Sequence, residues 1–130
     1  MTEEKIMKKI LVVDDEKAIR SLYKMELEDA GYQVETADSG SQALKKMEAF
    51  QPDLVTLDIK MPGMSGLEVL AEIRKNYKNL PIILCSAYGE YKQDFSCWAS
   101  DAYIVKSSNV EELVDTIQRL FEEKGIDYDD

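Results

Sequence analysis

Five short apolar runs punctuate this chain: KILVV (9–13), QVET (33–36), DLVTL (53–57), PIILC (81–85) and AYIVK (102–106). Each is too short for a buried helix and favours the β-branched residues that suit a pleated, extended backbone. The stretches between them place apolar residues at helical spacing instead. Ile19, Tyr23, Leu27 and Ala30 mark one face of the first, which stops at Gly31; Ala43, Leu44 and Met47 mark the second, ended by Pro52. The third opens on Ser65-x-x-Glu68, the pattern of a capping box, and continues through Leu70, Ile73 and Tyr77. The last begins near Ser108 or Asn109, runs through Leu113, Ile117 and Leu120, and ends at Gly125. The weakly periodic YGEYKQDFSCWASD (88–101) predicts one short helix, over 90–97.

A strand that returns through a helix lies parallel to its predecessor, so the alternation predicts an α/β fold with a parallel sheet covered on both faces. Right-handed crossovers and five strands favour the doubly wound order 2-1-3-4-5. Residues 1–130 then form a single domain, with a core over about 8–125 and short polar tails. In that order the first and third strands are neighbours at the switch point, where ligands bind beyond the carboxyl ends of the strands.

Three aspartates are delivered to that place. Asp14 and Asp15 follow the first run and Asp58 follows the third, in VTLDIKMPGMSG. Like charges at a buried strand end cost desolvation and mutual repulsion. A solvated turn, with one aspartate capping the next helix, would account for the adjacent pair taken alone. Three convergent carboxylates fit a divalent cation better, and hard oxygen donors suit Mg²⁺ or Mn²⁺. Ser86 follows the fourth run and Lys106 closes the fifth. Singly they read as a local cap and a solvated lysine. Beside three carboxylates they supply the hydroxyl and ammonium that an anion such as a phosphoryl group needs.

Composition narrows the chemistry. The chain contains no histidine, which removes the Ser-His-Asp triad, the Cys-His dyad and histidine-ligated metals. Carboxylates must therefore carry any phosphate chemistry. With 26 acidic against 16 basic residues the formal net charge is -10, which argues against direct binding to nucleic acid or an anionic membrane. MTEEKIMKK has no apolar stretch of signal-peptide length and no run is long enough to cross a bilayer, so a cytoplasmic location is expected. There Cys85 and Cys97 are expected to be reduced packing residues.

In combination and in order, VVDDE, LDIKMPGMSG, SAYGE and YIVK resemble the response-regulator receiver domain, the phosphoacceptor module of two-component signalling. The resemblance runs from Lys8 to about Gly125 and implies a flavodoxin-like receiver fold. It implies that Asp58 takes a phosphoryl group from the phosphohistidine of a histidine kinase or histidine phosphotransfer protein. Asp14 and Asp15 would hold Mg²⁺ with Asp58 and the backbone carbonyl of Lys60. Ser86 would bond one phosphoryl oxygen, Lys106 would pair with another, and Tyr103 would swing inward as Ser86 is drawn to the phosphoryl group. The module would assist its own phosphorylation and dephosphorylation without being an enzyme. Lys60 and Tyr88, two residues beyond Asp58 and Ser86, would stand at the mouth and gate hydrolytic water.

Departures from the family pattern touch the signalling face. Lys106 is followed by Ser107 and Ser108 in place of proline, and WASDAY lacks the usual glycine before the fifth strand. Ser86 and Lys106 are also closer in sequence than usual, which implies a shortened or irregular fourth helix. An aspartate-nucleophile phosphatase of the haloacid-dehalogenase type would need a second acid where Lys60 stands, and a nucleotide-binding module would need a Gly-rich loop where DDEKAI stands. A degenerate receiver, acting as a phosphorylation-independent scaffold, would leave the five crevice residues unexplained. With no effector after the last helix, output is expected through self-association or a downstream protein whose identity the sequence does not carry.

Overall fold

The structure, a computed structural model, describes residues 7–87, 99–106 and 109–124. In chain order the elements are β1 (Lys9–Val13), α1 (Lys17–Asp29), β2 (Gln33–Ala37), α2 (Gly40–Phe50), β3 (Leu54–Asp58), α3 (Gly66–Asn76), β4 (Ile82–Ser86), β5 (Ala102–Val105) and α4 (Glu111–Glu123). All strand pairs are parallel, in the predicted order β2-β1-β3-β4-β5. The short helix expected over 90–97 lies outside the described residues, as do Tyr88, Cys97 and the Lys106–Ser107 bond.

Side chains alternate across each strand, so the apolar runs feed two cores. Leu11, Val13, Val55, Leu57, Ile82 and Leu84 face α2 and α3, meeting Met47, Phe50, Val69 and Ile73. Ile10, Val12, Leu54, Ile83, Cys85 and Ile104 face the other way, meeting Tyr23 and Leu27 of α1 and Leu113, Ile117 and Phe121 of α4. Burial on both faces explains why the strands read as nearly unbroken apolar runs. Among the described residues no helix is long and apolar enough to cross a membrane.

Local chemistry sets the helix ends. The Ser65 hydroxyl accepts from the Glu68 amide at 3.3 Å while the Glu68 carboxylate accepts from the Ser65 amide at 2.9 Å, completing the predicted capping box of α3. Two boundaries differ from the sequence reading. The Asn109 side chain accepts from the Glu111 amide at 2.8 Å and closes a turn, so α4 begins later, with Val110 at its N-cap. At α1 the N-cap is Glu16, which makes no side-chain capping bond; neither Asp14 nor Asp15 caps the helix.

Two features brace the carboxyl and amino edges of the sheet. At the carboxyl edge the Gly66 amide donates to the Ile59 carbonyl at 2.8 Å. A Cβ on Gly66 would lie 2.1 Å from the carbonyl oxygen of Asp58, so only glycine lets α3 start this close behind β3. At the amino edge Asp101 accepts from the Ile82 amide at 2.8 Å and pairs with Arg74 at 3.0 Å and Lys124 at 2.8 Å. Arg74 also donates to the carbonyls of Leu80 at 2.7 Å and Ala99 at 2.8 Å. The entry to β5 is thereby tied to β4, α3 and α4 at once. Because a backbone oxygen cannot swing aside, Gly66→Ala is expected to cost about 2–4 kcal/mol. Urea unfolding checks this, and an unchanged midpoint would show that β3 and α3 are not held together there.

Candidate functional site

The strand order places the ends of β1 and β3 side by side, with the ends of β4 and β5 next in line. Asp14, just past β1, is 2% exposed, whereas its neighbour Asp15 is exposed. Successive residues leaving a strand point to opposite sides, so one aspartate goes under the site and the other over it. The pair is therefore not a solvated turn. Asp58 ends β3 at 6% exposure, and Ser86 ends β4 at 1%. One carboxylate oxygen from each of Asp14, Asp15 and Asp58 lies within 4.8 Å of the others.

Lys106 reaches in from the end of β5, where its amide donates to the Ser86 carbonyl at 2.7 Å. Its Nζ lies 2.6 Å from Asp14 Oδ2 and 3.2 Å from Asp58 Oδ1, with a side chain only 12% exposed. The solvated lysine that its sequence position allows is thus ruled out. Asp14 Oδ1 accepts from the Glu16 amide at 2.9 Å, so both oxygens of the buried carboxylate are engaged. Asp15, Glu16, Asp58, Lys60, Ser86, Ala87 and Lys106 line a pocket of about 310 Å³ above this layer.

Tyr103 does not line that pocket. It sits on β5 opposite Leu84 and packs partly buried against the core beneath α2 and α3. Ser86 lies two residues along β4 from Leu84, so both side chains share one face of the sheet. Sequence reasoning missed Glu16, whose Oε1 is 3.9 Å from Lys106 Nζ, and Arg20, whose Nη1 donates to the Asp14 carbonyl at 2.7 Å. The only sequence signals were a third acid after the pair and a cation one turn into the next helix. Cys85 is a free, buried thiol that burial pushes up to about 12, which fits a packing role.

Burial, then the Asp14 charge, pushes the Asp58 carboxyl up to about 7 against the opposing pull of Lys106. Burial alone would lower the Lys106 ammonium, but its bonds and charge attraction to Asp14 and Asp58 outweigh that and raise it. An unfolded chain releases the Asp58 proton in the ordinary carboxylate range, whereas the folded chain keeps it to about 7. The folded state thus binds more protons across that window, and its stability falls as pH rises through it. In metal-free buffer Asp58→Asn is expected to exceed the unsubstituted chain in stability at pH 8, by on the order of 2 kcal/mol. The gap should close toward pH 4; a gap independent of pH would contradict the strain assigned to Asp58.

The sequence profile of the response regulator receiver domain matches residues 10–118. The chain is 46% identical over 83 residues to the alkaline phosphatase synthesis transcriptional regulatory protein PhoP of Bacillus subtilis, covering 64% of this chain and 35% of that protein. It spans from 35% to 51% of the length of the transcriptional regulators it matches first. With the chemotaxis protein CheY of Listeria monocytogenes it shares 34% identity over 116 residues, covering 87% of this chain and 98% of that one. The solved structure of response regulator TrrA from Thermotoga maritima in complex with Mg²⁺-BeF is 54% identical, with a TM-score of 0.85 over 88% of this chain and 99% of that one. TrrA in complex with histidine kinase ThkA matches with a TM-score of 0.82 over 88% of this chain and 98% of that one. A profile match over most of its length, a relative matched nearly end to end and a shared fold place this chain in the response regulator receiver domain family.

Proposed function

We propose that the chain is the phosphoacceptor of a two-component pathway, with Asp58 as the acceptor. The observation that carries this reading is the single ammonium of Lys106 held between Asp14 and Asp58, with exposed Asp15 across the same pocket. That arrangement gathers three carboxylates around one buried ammonium. Oxygens on opposite sides of a Mg²⁺ ion are about 4 Å apart, so modest side-chain rotations suit the cluster to such an ion. Asp14, Asp15, Asp58 and the Lys60 carbonyl would hold it, with Mn²⁺ an acceptable substitute. When bound, Mg²⁺ offsets the charge of the acidic cluster and of an incoming phosphoryl group. The Mg²⁺-BeF complex of TrrA supports this assignment, since beryllium fluoride has the tetrahedral shape of a phosphoryl group.

The partner is a histidine kinase or histidine phosphotransfer protein, a reading supported by the complex of TrrA with ThkA. An Asp58 carboxylate oxygen forms the new P–O bond as the P–N bond to the partner's imidazole breaks. Positioning and charge neutralisation supply most of the acceleration in such a transfer. The chain is then a substrate that assists its own modification, not a turnover enzyme. Lys106 pairs with the added oxygens in place of one carboxylate contact, and Ser86 donates its hydroxyl to another. Ser86 and Tyr103 share a sheet face, so displacement at the serine bears on the side where Tyr103 packs. The net charge of -10 argues against direct contact with nucleic acid or an anionic membrane, so a cytoplasmic downstream protein is the expected target.

Lys60 lies on the pocket wall, where a long side chain can obstruct the in-line approach of water, and we assign it, with Tyr88, to slowing hydrolysis. Incubation with a small phosphodonor and Mg²⁺ should add one phosphoryl group by intact mass, and none after chelation or in Asp58→Ala. Lys60→Ala should then lose its label several-fold faster. Equal labelling of Asp58→Ala would move the acceptor elsewhere, absence of any label would favour a scaffold, and rapid multiple turnover would favour a phosphatase.

A further inference from the structure

Arg20 stands one turn into α1, half-buried, with no part in the chemistry proposed above. Among the described residues its guanidinium makes no ion pair with the acidic cluster; Nη1 instead donates to the backbone carbonyl of Asp14 at 2.7 Å. That carbonyl lies beyond Val13, the last residue of β1 paired with β2 and β3. A buried carbonyl without a donor is costly, and Arg20 supplies one. The peptide it holds is the one joining Asp14 to Asp15, and the plane of that peptide sets where Asp15 leaves the strand. Asp14 is fixed separately, through its amide to the Ala37 carbonyl at 3.1 Å and through both carboxylate oxygens. Asp15 is exposed, and its carboxylate faces those of Asp14 and Asp58 within 4.8 Å. A side-chain hydrogen bond joins Asp15 to Asp58, but like charge in the cluster opposes that approach, and a fixed peptide plane helps to hold it.

We propose that Arg20 is a positioning residue for the metal site: by holding the peptide between Asp14 and Asp15, it keeps the Asp15 carboxylate turned toward Asp58. This rests on the Mg²⁺ reading above and deepens it. Two plainer roles make different demands. A guanidinium acting through its charge alone would oppose a second cation, so removing it would tighten Mg²⁺ binding. One that merely satisfies a carbonyl would matter for stability and not for the metal.

Calorimetric titration of Mg²⁺ into the full chain, with urea unfolding in chelator as a control, separates these roles. Arg20→Met keeps the apolar stem while removing donor and charge, and it should weaken Mg²⁺ binding about tenfold, the usual cost of losing a group that orients a metal ligand. Arg20→Lys restores a donor at that position and should recover most of the loss. Unchanged or tighter Mg²⁺ binding by Arg20→Met would overturn the proposal, including where its unfolding midpoint falls. Weakening in Arg20→Lys as large as in Arg20→Met would overturn it too. If the unsubstituted chain itself binds no Mg²⁺, the metal site proposed above fails and takes this inference with it.

Discussion

The ammonium of Lys106, 2.6 Å from Asp14 and 3.2 Å from Asp58, is the contact on which the rest of the site depends. Two buried carboxylates at neighbouring strand ends would otherwise face each other in a poorly solvated layer. Removing one partner of such a buried pair is far more costly than the pair is stabilising, because the remaining charge is left uncompensated. One lysine offsets that repulsion only in part. Asp58 is still driven toward protonation by burial and by Asp14, and Asp15 adds a third negative charge above them. The folded chain therefore retains a deficit of positive charge at one place, and a divalent cation is the simplest group to remove it.

That deficit persists because the backbone holds it there. The sheet order makes β1 and β3 neighbours, and α3 begins so close behind β3 that only a glycine fits at position 66. Lys106 is aimed from the end of a strand whose other end is tied down through Asp101, Arg74 and Lys124. Both ends of β5 are thus tied to neighbouring strands and helices. Within WASDAY, Asp101 bonds to the Ile82 amide and pairs with Arg74 and Lys124, which anchors the chain just before β5.

The strands were legible because burial on both faces demands unbroken apolar runs, and their ends fell within a residue or so of the expected places. Asp14, Asp15 and Asp58 were legible for a related reason, since a charge placed directly after such a run has few structural uses. Helix starts were harder. Ser108 and Asn109 are both good capping residues, and only the geometry shows that Asn109 closes a turn before α4. Arg20 and Asp101 left almost no trace, because they act on backbone groups or partners far along the chain, and such contacts impose no spacing. Nor does the sequence separate Asp14 from Asp15; their opposite burial follows from the direction in which each leaves the strand. Tyr103 was recognisable by position, but its packing beneath α2 and α3 is a property of the sheet face.

The central claim is that the fold holds Asp58 in a deficit of positive charge, which a divalent cation relieves and which readies the site for a phosphoryl group. Carbon-13 NMR titration of the Asp58 side-chain carboxyl, without and with saturating Mg²⁺, tests it directly. The account predicts a metal-free midpoint near 7, displaced well down into or below the ordinary carboxylate range when Mg²⁺ is present. A midpoint already in the ordinary range without metal, or one that Mg²⁺ does not move, would contradict it.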